Sequence, residues 1–169
     1  MTKIKFKKLD ERAVIPTYAH IGDIGLDVTA ISLEYDMEHD MYIYHTGLAC
    51  EMENGYAVLC LPRSSNTKTN AYMPNSPGLV DPATYRGEIQ FRYKNRDALK
   101  TNWLEEELAD KIDLVHKEVE AYALSKAPYQ PGDRIGQFVI VQVPEIEIEE
   151  TDTLSETERG EHGFGSSGK

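Results

Sequence analysis

The sequence predicts an all-β sandwich or barrel, interrupted by one long α-helix and followed by a Gly-rich arm. Three observations carry this expectation. Short segments alternate apolar and polar residues with a period of two, and Gly and Pro mark the turns between them. One stretch, residues 103–125, contains neither Gly nor Pro and repeats its apolar residues every three or four positions. The last stretch, residues 151–169, is polar and Gly-rich, too poor in apolar side chains to form a strand or helix by itself.

The strands are expected in this order. Residues 3–7 alternate and begin the sheet. Residues 41–49, 55–61 and 87–93 follow. In the last of these, Ile89, Phe91 and Tyr93 share one face, with Glu88, Gln90 and Arg92 on the other. Residues 133–143 make a longer apolar strand, and 145–149 alternate again. Residues 95–129 read as an insertion, with a helix over about 102–125 capped by Asn102 and Glu105. Leu104, Leu108, Ile112, Val115, Val119 and Tyr122 form its apolar stripe, opposite Glu106, Asp110, Asp113, Lys117 and Glu120. That stripe either packs on its own barrel or offers a surface to a protein partner, with Trp103 as anchor. The expected division is a barrel over 1–150, insertion included, and an arm over 151–169.

Composition narrows the function. Hydrophobic residues make up 40% of 169 residues, enough for one core. No apolar run approaches the ~20 residues that cross a bilayer. The first residues are basic but lack the apolar stretch of a signal peptide, so a cytoplasmic location is expected. Cys50 and Cys60 lie in apolar stretches and read as buried thiols. The charge is 18 − 29 = −11, which disfavours polynucleotide binding. Seven of the acids lie in 145–158 with no base among them, as in a solvated arm. His20, His39, His45 and His116 are scattered without metal-ligand spacing.

Five fragments carry candidate chemistry. Residues 24–27, IGLD, place Asp27 after a glycine, either as a turn residue or in a site. Residues 61–65, LPRSS, set a guanidinium beside two hydroxyls at a strand end, groups that suit phosphate oxygens or a plain surface loop. Residues 75–88, NSPGLVDPATYRGE, put Asp81 after an apolar run. It reads either as a turn residue or as a base in a partly buried pocket. Residues 131–137, PGDRIGQ, form a turn entering a strand, and an Asp133–Arg134 pair would suffice to explain them. Residues 159–168 read RGEHGFGSSG.

Taken in this order, the fragments resemble the five motifs of the trimeric dUTPases, in a phage-type arrangement with an insertion between the third and fourth. The resemblance implies a jelly-roll or distorted β-barrel fold. It implies hydrolysis of dUTP to dUMP and pyrophosphate with Mg²⁺ in a homotrimer with shared active sites. Asp81 matches the aspartate that activates water, and Asp27 the one that supports Mg²⁺ through water. Arg63 and Ser64 match the triphosphate-contacting pair, Asn75 the reader of the uracil edge, and Gln137 a residue near the phosphates. Arg159, Ser166 and Ser167 match tail residues on the outer phosphates, with Phe164 over the uracil. Ser65, Gly78 and Gly165 fall at substrate-binding positions. Tyr85 resembles the tyrosine that packs on the deoxyribose. Three residues separate it from Asp81 where the family has two, so a one-residue bulge is expected there. The neighbouring alternatives are a dCTP deaminase, a bifunctional deaminase–dUTPase, or a dUTPase with a regulatory protein-binding role through the insertion.

Overall fold

The computed structural model describes residues 2–97, 112–158 and 160–161. All the strand pairs are antiparallel. One four-stranded sheet runs β2 (Leu26–Thr29), β10 (Arg134–Gln142), β6 (Tyr56–Pro62), β8 (Gly78–Val80). A second runs β3 (Ser32–Asp36), β4 (Met41–His45), β9 (Gln90–Asn95), β7 (Ala71–Tyr72). A separate pair joins β1 (Lys5–Lys8) to β5 (Leu48–Glu51). The single described helix, α1 (Ile112–Ser125), lies against β3.

The core sits between the two larger sheets. Phe91 of β9 stacks on Phe138 of β10 at 5.8 Å, and both are fully buried. Ile89, Phe91 and Tyr93 face inward, as the alternation predicts. Gly136 on β10 leaves the room that Phe91 fills, because a Cβ there would lie 2.0 Å from the ring. Three inward tyrosines donate their hydroxyls to main-chain carbonyls on other elements. Tyr42 donates to Ala123 O at 3.0 Å, Tyr44 to Tyr129 O at 3.0 Å, and Tyr93 to Ile135 O at 2.6 Å. These bonds fasten the end of the insertion, and the chain that follows it, to β4 and β9.

Two expected strands are corrected. Residues 41–49 are not one strand but the ends of β4 and β5, which belong to different sheets. Thr46 and Gly47 turn the chain. Gly47 has φ +65°, a conformation L side chains rarely adopt, and its N–H donates to Glu88 Oε1 at 2.8 Å. Residues 145–149 form no strand. They are exposed, and their alternating isoleucines have no sheet to join.

The helix ends where expected, at Ser125, two residues before the position that Pro128 biases away from helix. Ala123 is buried, Val119 and Tyr122 are half-buried, and His116, Lys117, Glu118 and Glu120 are exposed. This part of the stripe therefore packs on its own barrel. The expected cap Asn102, with Trp103, Leu104 and Leu108, lies outside the described residues. No helix of the described residues is long and apolar enough to cross a membrane.

Candidate active site

The sheet order β2-β10-β6-β8 sets four of the five sequence fragments side by side. They assemble as two groups at different places on the sheet.

The first group is built on β2, β10 and the end of β6. Asp27 and Gln137 are cross-strand partners, and Gln137 in turn opposes Leu61. Arg63 lies just beyond the end of β6. Asp27 is buried at 8% exposure and accepts three hydrogen bonds. Arg63 Nε donates to Oδ1 at 3.1 Å, Gln137 Nε2 to Oδ1 at 3.2 Å, and Arg134 Nη1 to Oδ2 at 2.9 Å. Two guanidiniums against one carboxylate leave this spot with a net charge of +1 in a chain of net charge −11. Ser64 is exposed and Ser65 half-buried in the 3-10 turn Ser64–Lys68 that follows Arg63.

Arg134 is the member that sequence reasoning missed. The fragment PGDRIGQ suggested an Asp133–Arg134 pair, but Asp133 Oδ2 instead accepts the Gln130 N–H at 2.7 Å. Arg134 heads β10 beside Thr29, which frees its side chain for Asp27.

The second group surrounds a hollow of about 260 Å³ beside β8. Asn75, Gly78, Asp81 and Tyr85 line it, over a floor that includes Cys60, Met73 and Ile89. Cys60 is buried, and burial pushes its thiol up to about 12, so it meets the hollow as a neutral surface. The Ser76–Pro77 peptide leading into β8 is cis.

The extra residue between Asp81 and Tyr85 produces no bulge in the β6–β8 ladder. Residues 81–85 close one helical turn after β8 has ended, with Tyr85 N–H donating to Asp81 O at 2.9 Å. Arg86 holds that turn by donating to Pro82 O at 3.0 Å and Ala83 O at 3.0 Å. Tyr85 folds back over Gly87 and donates to Glu88 O at 3.0 Å, and a Cβ on Gly87 would meet its hydroxyl at 2.4 Å. The turn also lifts Asp81 to the lip of the hollow. Asp81 is exposed, not partly buried as the preceding apolar run suggested.

Glu88 anchors the back of this hollow. Its carboxylate accepts Gly47 N–H at 2.8 Å and faces His45 Nδ1 at 2.8 Å and Gln90 Nε2 at 3.3 Å. Burial opposes its ionisation, but these hydrogen bonds outweigh it and hold the carboxyl below its usual range.

The two groups are well apart within one chain. Asp81 follows Val80, whose partner Val58 lies five residues from Arg63, about 16 Å along a strand. Arg159, Phe164, Gly165, Ser166 and Ser167 lie outside the described residues. Among the described residues there is no group of three or more His, Cys, Asp or Glu that could cage a metal. A carboxylate has about four acceptor sites, and Asp27 uses three of them on protein donors. One acceptor site remains open on Asp27.

Comparison with known proteins places the chain in a family. The dUTPase family model matches residues 11–101 and 117–168. A deoxyuridine 5'-triphosphate nucleotidohydrolase of Trichodesmium erythraeum is 34% identical, over 98% of this chain and 99% of its own. One of Nautilia profundicola is 36% identical over 99% of each. Among solved structures, the dUTPase of Staphylococcus bacteriophage 80alpha with dUPNHPP superposes with a TM-score of 0.70 and 25% identity, over 100% of both chains. The matched segments run through both groups and are interrupted at 102–116, within the insertion, so the chain belongs to the dUTPase family.

Proposed function

We propose that the protein hydrolyses dUTP to dUMP and pyrophosphate, removing the precursor of uracil in DNA and supplying dUMP. The observation that carries this reading is the pairing of a nucleoside-sized hollow edged by Asp81 with a separate cationic group around Arg63. Asn75 offers an amide to the uracil edge, where cytosine's exchanged donor and acceptor would leave bonds unmade. Tyr85 covers the deoxyribose and leaves no room for a 2′-hydroxyl. Asp81 takes a proton from the water that attacks the α-phosphorus, a step worth about 10²–10⁴-fold. Pyrophosphate leaves with the electrons of the α–β bridging bond.

Arg63, with Ser64, Ser65 and Gln137, receives the outer phosphates. Arg159, Ser166 and Ser167 join them from the tail, where Gly165 lets the backbone approach and Phe164 covers the base. Mg²⁺ arriving with the triphosphate neutralises part of its charge. The acceptor site left on Asp27 would hold one of its waters.

The separation of the two groups supports a homotrimer in which one chain's hollow meets another chain's Arg63. The exposure of Leu79 at 65%, Ile146 at 72%, Ile148 at 88% and Leu154 at 86% agrees with surfaces that other copies cover. The functional division is then a barrel over 1–150 and an arm over 151–169 that delivers the tail. Such an enzyme works where nucleotides are made and used, in the cytoplasm, or in the host's if a phage encodes it.

A pyrophosphate-release assay with dUTP, dCTP, dTTP and UTP and Mg²⁺ tests the reading. Release from dUTP alone is expected. Uracil products from dCTP would establish a deaminase activity instead.

A further inference from the structure

We propose that Tyr129, at the end of the insertion, is a positioning residue. It holds the turn after Arg63 in the shape that receives the outer phosphates. The proposal rests on the reading of that turn as the phosphate-binding half of the site.

The ring of Tyr129 is fixed from several directions. Its backbone N–H donates to the Tyr44 hydroxyl at 3.1 Å, and that hydroxyl donates to Tyr129 O at 3.0 Å. Its ring meets Tyr93 edge-on at 5.4 Å and Tyr44 at 6.1 Å, and the residue is 8% exposed. A ring so held has one direction in which to send its hydroxyl. It points at Asn66 Oδ1, 3.1 Å away.

Asn66 is the centre of the turn Ser64–Lys68. Its N–H donates to Arg63 O at 2.9 Å, and its Nδ2 donates to Ala71 O at 2.9 Å. Its carbonyl accepts Thr69 N–H at 3.0 Å and Thr69 Oγ1 at 2.9 Å. The turn itself has no buried residue, so hydrogen bonds and not packing set its shape. Among the described residues, the Tyr129 bond is the one that reaches this turn from the aromatic core.

Without it, Asn66 Oδ1 still accepts Thr69 Oγ1 at 3.1 Å, so the turn persists but is free to rock. Ser64 and Ser65, flanked by Arg63 and Asn66, rock with it. A phosphate then has to order what was previously fixed. The same contact ties the insertion to the site. Tyr42 and Tyr44 fix the chain from Ala123 to Tyr129, and Tyr129 passes that position on to the turn.

The test is Tyr129→Phe, which removes one oxygen and keeps the ring and both Tyr44 bonds. Three measurements are made: the melting temperature, steady-state kinetics with dUTP, and inhibition by dUMP, which lacks the outer phosphates. KM for dUTP is expected to rise about fivefold, the worth of one neutral hydrogen bond, with kcat and the dUMP inhibition constant little changed. An unchanged KM would overturn the proposal. So would equal weakening of dUMP and dUTP, or loss of the folded trimer, each of which would make Tyr129 a core residue only. Arg63→Ala is the companion variant. If it too leaves KM for dUTP unchanged, the phosphate reading of the turn fails. If it raises KM while Tyr129→Phe does not, only the role of Tyr129 fails.

Discussion

Asp81 stands in the open at the lip of its hollow, carried there by a helical turn that Arg86 holds from beneath. Its backbone shapes that turn, whereas its carboxylate makes no hydrogen bond or ion pair with any of the described residues. Asp81→Asn should therefore leave the fold and nucleotide binding intact while removing the base. We expect kcat to fall at least about 10²-fold, with the affinity for a non-hydrolysable dUTP analogue nearly unchanged. Retention of more than about a tenth of kcat would show that another group takes the proton. Asp27 differs in kind. It orients two arginines and a glutamine, so its carboxylate organises the local positive charge.

At the scale of elements, the insertion is fastened at its far end by Tyr42 and Tyr44, while the fragments that line the site lie outside it. Replacing 97–127 with a short Gly-Ser linker keeps Tyr129 and its bond to Asn66. Closing such a loop differently is inexpensive, so dUTP hydrolysis should stay within about tenfold of the parent. The Tyr42 hydroxyl still accepts Asn95 Nδ2 at 3.1 Å but its proton loses the acceptor Ala123 O, and a buried donor left unpaired costs about 1–3 kcal/mol, so the melting temperature should drop. An inactive variant that is still folded and trimeric would mean that α1 helps to build the site.

Long elements were legible because their patterns are long. β6 and β10 repeat over seven and nine residues, and α1 ends at the residue its pattern indicates. β2, β3, β7 and β8 have two to five residues, too few to display a period. Alternation in 145–149 describes a face without supplying a partner strand, and there the face is open to water. The break at Gly47 was marked by its glycine, but the apolar residues on both sides concealed that they serve different sheets.

For the whole molecule, the motif fragments reveal which residues meet but not which copy supplies them. In one chain, the Asp81 hollow and the Arg63 group sit on opposite sides of β6 and at different heights along it. Arg134, Glu88 and Tyr129 escaped the sequence reading because their roles depend on pairings across 107, 43 and 63 positions of chain. If copies complete one another's sites, two inactive variants should rescue each other. Asp81→Asn chains mixed with chains truncated after Glu158 should recover part of the activity after subunit exchange. Persistent inactivity in confirmed mixed trimers would mean that each chain builds its own site.

The tyrosine-rich core also gives the protein an optical signature. Five of its ten tyrosines, Tyr35, Tyr42, Tyr44, Tyr93 and Tyr129, are held above the ordinary phenol value of 10.0, chiefly by burial. Below pH 10 these phenols are neutral whether the chain is folded or not. Above it, the unfolded chain releases their protons and the folded chain keeps them, so stability falls as pH rises. An alkaline titration should show phenolate absorbance rising in two steps, the second coinciding with loss of the β circular dichroism. One smooth step with the β signal intact would contradict this. The single tryptophan, Trp103, belongs to the insertion, whereas Tyr35, Tyr42, Tyr44 and Tyr93 lie on strands, so its fluorescence and most of the tyrosine absorbance would follow two different parts of one molecule in the same cuvette.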